Sequence, residues 1–245
     1  LAISSDEKRL ATGNSDGVIK VWNLKFSKQI MEFKNHEDDI KSLYFQPGNK
    51  FLYSASEDKT IRQWNLVSKK EQRNLSATSN KWGKVLDVDF SPSLIASGIT
   101  EVKKNSYSFR AGAGRPVWTY VVKLRDALTG EEHAELNAHI EPVTNVRISK
   151  NQKYVVSASE DHTVRIWKSK NGKLLSTIPL DDEVSNIALS PNNKWLVAAT
   201  DDNKLSVFEL SFIDDTLLSA EDTGGAGDKD SKSEQNSQIY AVIIG

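Results

Sequence analysis

The chain has 245 residues, of which 38% are hydrophobic and 27% are charged, so it is long enough to bury a sizeable core. Its 32 basic and 33 acidic side chains leave a net charge of -1, which excludes a general electrostatic attraction to nucleic acid or to an anionic membrane. The absence of cysteine excludes disulfides, thiol catalysis and thiolate metal sites.

No apolar run approaches the roughly 20 residues of a membrane helix, so we expect no membrane association. The first residue, Leu1, stands inside an apparent strand, and we therefore expect the chain to be a piece of a longer protein. A chain without cysteine suits a reducing compartment, and the expected location is the cytoplasm or the nucleus.

Short apolar segments, rich in β-branched and aromatic residues, follow one another along the chain and predict strands. They read IKSLYFQ, KFLYSAS and TIRQWNL in residues 40–66, and VTNVRIS, KYVVSAS and TVRIWKS in residues 143–169. Turn signals such as QPGNK and SPNNK separate the first strand from the second. A weaker fourth strand, such as KLLSTIPL, follows the third.

The residue near the end of each third strand sets the period of the repeat. The equivalent residues are Trp22, Trp64, Arg125, Trp167 and Phe208. They are separated by about 42 residues, except that the interval before Arg125 is ~20 residues longer. Four short strands in ~40 residues are typical of a β-propeller blade. The predicted blades are 1–33 (partial), 34–76, 77–136, 137–178 and 179–218.

These units resemble WD repeats over about residues 1–210. The final Asp of the family's motif is kept in Arg125-Asp126, and the opening Gly-His appears as Asn35-His36 and Ala138-His139. The other units end in Trp22-Asn23, Trp64-Asn65, Trp167-Lys168 and Phe208-Glu209. The resemblance implies an all-β propeller of four-stranded antiparallel blades. A propeller closes its ring because an open ring leaves strand edges exposed, and WD-repeat rings usually have about seven blades. Since about five blades are recognisable here, we expect the chain to be part of a larger propeller. A small ring closed by the terminal strand is the alternative.

The last part of the chain differs in composition from the blades. Residues 219–237 are polar and rich in Gly, which predicts a flexible loop, and their acidic residues lack the spacing of a calcium-binding loop. Residues 238–245 are apolar again and are predicted to be the first strand of a further blade.

The segment SASEDKTIRQW, residues 54–64, returns as SASEDHTVRIW at residues 157–167. With a preceding His, each copy has the residue types of a catalytic triad, namely His36, Ser54 and Asp58, and His139, Ser157 and Asp161. A catalytic group is normally built once, whereas this set recurs at the repeat period, and neither Ser lies in a nucleophile elbow.

A structural interpretation of the same residues is favoured. The resemblance to WD repeats implies that each His, Ser and Asp forms a hydrogen-bonded network with the Trp that follows, Trp64 or Trp167, and ties the preceding loop to the blade. Blade one is predicted to hold part of the network, in Thr12, Asp16 and Trp22.

Two blades lack the network in the sequence. Blade three has Lys81 and Arg125 where His and Trp belong, and blade five has Leu180, Ala198 and Phe208. We therefore expect blades three and five to be the loosest.

The resemblance further implies where partners bind. Contacts should concentrate on the face formed by the loop that leads into each blade and the turn between its second and third strands, here called the contact face. Its predicted partner-binding residues are Asp39, Lys41, Glu57, Lys84, Leu86, Thr144, Glu160, Glu183 and Asp201. Acidic residues outnumber basic ones there, which predicts a protein partner with a segment bearing Lys or Arg. A solvated rim of mixed charge is the alternative.

The additional residues of blade three lie between its second and third strands, in residues 99–120, and should rise on the contact face. Aromatic and cationic side chains alternate there, and those predicted to bind a partner are Tyr107, Phe109, Arg110, Arg115 and Trp118. A hairpin that packs its aromatic residues on a neighbouring blade is the alternative. Nucleic acid is an unlikely partner, because the chain as a whole has no basic excess.

No cofactor or metal is expected. The four His lack metal-ligand spacing, and GAGRP at residues 112–116 lacks the Lys-Ser/Thr of a phosphate-binding loop. The predicted function is a non-enzymatic scaffold for protein-protein interaction. A regulatory or substrate-recruiting propeller within a larger enzyme or ubiquitin-ligase complex is the alternative, and a hydrolase acting through Ser54 or Ser157 is a more distant one.

Overall fold

A computed structural model of the chain describes residues 1–77, 84–102, 118–210 and 240–243. These residues form twenty strands in five antiparallel sheets of four strands each. The all-β fold with four-stranded blades, predicted from the repeat, is confirmed.

Each blade is one run of four strands. Blade one contains β1 (Ala2–Ile3), β2 (Arg9–Gly13), β3 (Ile19–Asn23) and β4 (Lys28–Phe33). Blade two contains β5 (Ile40–Phe45), β6 (Phe51–Ser56), β7 (Thr60–Asn65) and β8 (Lys70–Ser76). Blade three contains β9 (Lys84–Phe90), β10 (Leu94–Val102), β11 (Trp118–Asp126) and β12 (Glu132–His139). Blade four contains β13 (Val143–Ile148), β14 (Tyr154–Ser159), β15 (Thr163–Lys168) and β16 (Leu174–Pro179). Blade five contains β17 (Val184–Leu189), β18 (Trp195–Thr200), β19 (Leu205–Glu209) and β20 (Tyr240–Ile243).

The apolar core lies between blades. Each hydrophobic cluster combines buried side chains of two consecutive blades, because both faces of a propeller blade pack on a neighbour. Between blades one and two, for example, the rings of Phe33 and Trp64 stack with their centroids 4.6 Å apart. This packing explains why the second strands, which are covered on both faces, read as almost continuous apolar runs.

The first strands of consecutive blades lie against one another, which places them at the inner end of each sheet. Polar side chains join them: Oδ2 of Asp87 accepts a hydrogen bond from the backbone N–H of Val146 at 2.9 Å. At the equivalent place in the next blade, Oδ1 of Asn145 accepts one from the N–H of Ile187 at 2.8 Å. These bonds set the register between neighbouring blades.

The turn between the second and third strands contains a left-handed residue in four blades. In blade one this residue is Gly17, with φ 74°, and a Cβ there would lie 2.4 Å from the carbonyl oxygen of His36. Lys59, His162 and Asn203 adopt the same conformation in blades two, four and five. The glycine therefore allows the turn of blade one to approach the loop that leads into blade two.

The additional residues of blade three extend the pairing of β10 and β11 as far as Val102 and Trp118, and residues 103–117 lie outside the described residues.

Tyr240–Ile243 was predicted within the first strand of a further blade, but the structure pairs it antiparallel with β19 as the fourth strand of blade five. An apolar strand pattern does not specify which sheet edge a strand joins, and the predicted loop 219–237 lies outside the described residues.

Where the structure describes the chain, no helix is long and apolar enough to cross a membrane.

Candidate functional site

The repeated motif of blade two forms a chain of hydrogen bonds. The indole Nε1–H of Trp64 on β7 donates to Oγ of Ser54 on β6 at 2.8 Å. The Ser54 Oγ lies 2.7 Å from Nε2 of His36, and Nδ1 of the same ring lies 2.6 Å from Oδ2 of Asp58. The Asp58 carboxylate also accepts the backbone N–H of Glu37 at 3.2 Å, so it holds the loop as well as the imidazole.

Blade four repeats this geometry. Nε1–H of Trp167 donates to Ser157 Oγ at 2.9 Å, and His139 lies 2.7 Å from that hydroxyl and 2.8 Å from the Asp161 carboxylate. The N–H of Ile140 donates to the carboxylate at 3.2 Å. We call the hydrogen-bonded set in each blade the brace. It joins the third strand, the second strand, the leading loop and the turn.

The arrangement of donors favours one protonation state of the imidazole. The indole can only donate, so the Ser hydroxyl accepts from it and donates its own proton to Nε2. Nδ1–H then donates to the carboxylate, and a neutral ring satisfies every group. Burial accordingly lowers the pKa of His139, and this effect outweighs the opposing attraction of Asp161.

The carboxylates of the brace are held in the ionised form. Burial alone would raise the pKa of Asp58, but hydrogen bonds from His36 and Thr60 outweigh it, and the pKa lies well below its ordinary value. The pKa of Asp161 is lowered in the same way, against burial, by hydrogen bonds from Thr163 and His139.

Sequence reasoning missed several members of the brace. Thr60 Oγ1 donates to Asp58 Oδ1 at 2.6 Å, and Arg62 Nη2 lies 3.8 Å from the other oxygen of that carboxylate. Ser56 Oγ donates to the carbonyl of Asp38 at 2.8 Å, which ties the second strand to the leading loop. Blade four has the equivalent contacts through Thr163, Arg165 and Ser159. The signal was available, because these letters are identical in both copies of the motif.

Blade one holds only part of the brace. Trp22 Nε1–H donates to Thr12 Oγ1 at 3.1 Å, whereas Asp16 instead accepts from the side chain of Asn14 at 3.1 Å. The structure therefore joins two of the three predicted residues and leaves Asp16 apart from them.

In blade three an Arg stands where the brace has its Trp. Arg125 is buried and contacts Ser97 Oγ at 3.3 Å, the carbonyl of Ala77 at 3.1 Å and the Glu132 carboxylate at 2.9 Å. Ser97 occupies the position of Ser54, so a cationic side chain connects the same strands. The sequence had instead predicted that blade three lacks the network at this position.

In blade five, Ala198 and Phe208 are buried in the apolar core, and the Thr200 hydroxyl donates a hydrogen bond to Oδ1 of Asp202 at 2.6 Å.

The brace lies directly below the contact face. In three blades the residue before the turn Asp donates its backbone N–H to a carbonyl of the leading loop: Glu57 to Asp39 at 2.9 Å, Glu160 to Pro142 at 3.0 Å, and Asp201 to Glu183 at 3.0 Å. The structure thus brings together the loop and turn residues that were predicted to share a face.

The charges of that face differ between blades. In blade two, Lys41 forms an ion pair with Glu57 and lies 3.7 Å from Asp39. Thr144 holds the position of Lys41 in blade four and donates its hydroxyl to the carbonyl of Val184 at 2.5 Å. In blade three, Lys84 is exposed and Leu86 is partly buried.

Of the aromatic and cationic residues predicted in the long loop, Trp118 is 42% exposed at the start of β11. The others, Tyr107, Phe109, Arg110 and Arg115, lie outside the described residues.

The arrangement offers little for catalysis. Ser54 and Ser157 have no exposed surface, and each hydroxyl is engaged with both an indole and an imidazole. Across the described ranges, no three His, Cys, Asp or Glu side chains are grouped so as to hold a metal ion.

Four-stranded antiparallel blades that share their cores, with a brace at the same place in two of them, define a β-propeller repeat protein. The family model "WD domain, G-beta repeat" matches residues 1–23, 27–65, 130–168 and 172–209, which are more than half of the chain. The chain therefore belongs to the WD-repeat family. The match leaves out β9, β10 and β11 of blade three, where Arg125 replaces the Trp of the brace.

Individual relatives are similar over most of the chain. Periodic tryptophan protein 2 of Arabidopsis thaliana is 27% identical over 200 residues, which cover 71% of this chain and 22% of that protein. U3 small nucleolar RNA-associated protein 4 of Saccharomyces cerevisiae is 28% identical, over 71% of this chain and 22% of that protein. Nuclear distribution protein PAC1 of Candida dubliniensis is 29% identical, over 64% and 36%. The chain thus spans at most about a third of the length of these relatives.

The buried imidazole of His139 should make stability depend on pH. Its pKa is lower in the folded protein than the value of about 6.5 in an unfolded chain, so unfolding takes up a proton below that pH. We expect the free energy of unfolding, measured with urea, to fall as the pH is lowered from about 7 to about 5. The substitution His139→Gln should make this slope shallower, and equal slopes for both proteins would contradict the assignment.

Hydrogen exchange of the second strands should report the brace. Blade five has no such chain of bonds between Ala198 and Phe208, so β18 should open more readily than β6 and β14. We expect its backbone amides to exchange about tenfold faster, since each missing bond contributes on the order of 1 kcal/mol. Blade three should be intermediate because of Arg125, and protection of β18 equal to that of β6 would refute the prediction.

Proposed function

We propose that this chain is a non-enzymatic scaffold that binds protein partners through its contact face. The observation that carries the proposal is the backbone pairing of loop and turn in blades two, four and five, which supports a common surface for Glu57, Glu160 and Asp201. Loops held on a rigid framework are the usual place for binding in such folds. The partner segment bears Lys or Arg, because acidic residues outnumber basic ones among the predicted loop and turn residues of this face.

Protein is favoured over nucleic acid as the partner. The net charge of -1 provides no general attraction to phosphate. The basic residues Lys8, Lys50 and Lys194 lie between the first and second strands of their blades, on the face opposite the contact face. The names of two relatives associate those proteins with a small nucleolar RNA and with nuclear distribution. We propose that the present chain acts in the nucleus or the cytoplasm, within an assembly whose contacts to this face are protein contacts.

Charge reversal tests the proposal. The contact-face variant combines Glu57→Lys, Glu160→Lys and Asp201→Lys, and the matched control combines Lys8→Glu, Lys50→Glu and Lys194→Glu on the opposite face. Each protein is immobilised, and the captured proteins are quantified by mass spectrometry at low and at physiological salt. The wild type and the control should retain the proteins whose capture is salt-sensitive. We expect the contact-face variant to capture at least tenfold less of these proteins.

Unchanged capture by the contact-face variant, with unchanged salt dependence, would refute the proposal. Circular dichroism of each variant establishes that the blades remain folded.

A further inference from the structure

A small notch opens at the outer edge of the contact face, between the outer strands of blade three and the loop that leads into blade four. It has a volume of about 300 Å³ and is lined by the first residues of β11 and the last residues of β12. Trp118, Tyr120 and Ile140 form its apolar surface, and Trp118 and Ile140 are 42% and 75% exposed. Two large apolar side chains that border a concavity and face solvent suit a docking site.

Negative charge borders this notch. Glu141 follows Ile140 directly, and Glu160 lies beside it, because the Glu160 N–H donates to the carbonyl of Pro142 at 3.0 Å. Burial raises the pKa of Tyr120, which lines the notch, and the charges of Glu141 and Glu160 raise it further. Apolar and anionic surfaces therefore meet at one place.

The negative charge continues into blade five through Glu183 and Asp201. The pKa of Glu160 is raised by burial first and then by the charges of Glu183, Glu141 and Asp201. No described Lys or Arg forms a salt bridge with any of these four carboxylates. Blade two is different, because Lys41 pairs with Glu57 there. Among the described residues, blades four and five thus have no equivalent of the Lys41–Glu57 ion pair of blade two.

The size and lining of the notch indicate which cation fits. A volume of about 300 Å³ is at the low end for ligand pockets and suits a single long side chain. A guanidinium group stacks on aromatic rings, is weakly hydrated and pairs with a carboxylate through two parallel hydrogen bonds. A Lys ammonium is compact and more strongly hydrated, so it gains less from Trp118 and Tyr120.

We propose that this notch binds an arginine side chain of a partner polypeptide, with the aliphatic stem against Ile140 and Trp118 and the guanidinium directed to Glu141 and Glu160. The proposal rests on the proposed function and gives one chemical identity to the basic segment that binds the contact face. Electrostatic attraction alone would bind an Arg at any carboxylate of the face. Binding in the notch requires both the carboxylates and the apolar wall.

Peptide binding tests this assignment. The probe is a fluorescein-labelled peptide, Gly-Ala-Arg-Leu-Gly, and two analogues carry Lys or the uncharged citrulline in place of Arg. Fluorescence polarisation with the whole chain should show at least threefold tighter binding of the Arg peptide than of either analogue. Glu160→Gln and Ile140→Ala should each weaken binding of the Arg peptide at least threefold.

Glu131→Gln is the matched control, because Glu131 is an exposed carboxylate between β11 and β12, at the end of blade three that lies away from the notch. It should leave binding unchanged. Equal binding of the Arg and citrulline peptides, or equal weakening by Glu131→Gln and Glu160→Gln, would overturn the proposal in favour of diffuse attraction.

A competing occupant is the chain's own segment 103–117, which contains Lys103, Lys104, Arg110 and Arg115. A variant with these four residues changed to Gln should bind the Arg peptide as the wild type does. Binding that appears only in this variant would make the segment the occupant and overturn the proposal. Partner capture is a separate readout. If charge reversal abolishes capture but the Arg peptide binds no better than its analogues, the proposal for the notch is wrong and the proposed function stands.

Discussion

The hydrogen-bonded chain from indole through hydroxyl and imidazole to carboxylate is the interaction on which the leading loops of blades two and four depend. It crosses from β7 to β6, then to the leading loop and the turn, in positions where each polar group is buried and satisfied. A satisfied network in a low-dielectric interior is rigid, and the same groups left unpaired would be costly. This explains why Ser54 and His36, whose side chains are of the types that hydrolases use, have a structural role.

A rigid support allows the surface above it to vary. Blades two and four share the brace and carry Glu57 and Glu160 at the same position. Lys41 pairs with Glu57, whereas Thr144 holds the equivalent place in blade four and no Lys or Arg in the described ranges pairs with Glu160. One substitution in the first strand therefore changes the electrostatics of a face without changing the blade. Under the proposed function, recognition is a property of individual blades, and the notch beside Ile140 is the proposed place where charge and apolar surface coincide.

The strands and the blade period could be predicted, because alternation and turn residues are local properties of the chain. The set of His36, Ser54, Asp58 and Trp64 was also predictable, since recurrence at the repeat period indicated a structural role and the resemblance to WD repeats implied the hydrogen bonds. Arg125 could not be recognised as a substitute for Trp, because its reach to the carbonyl of Ala77 depends on the distance between strands. The ion pair of Lys41 joins β5 to the turn after β6, and strand patterns carry no information about such pairs.

The most direct test of the account is a double-mutant cycle on Trp64 and Ser54, with the free energy of unfolding in urea as the measured quantity. Trp64→Phe keeps the ring and removes the donor, and Ser54→Ala removes the shared hydroxyl. We predict that each substitution destabilises the protein by about 1–3 kcal/mol and that the two couple by about 1 kcal/mol or more, because they belong to one network. Strictly additive effects, or unchanged stability in both single variants, would contradict it.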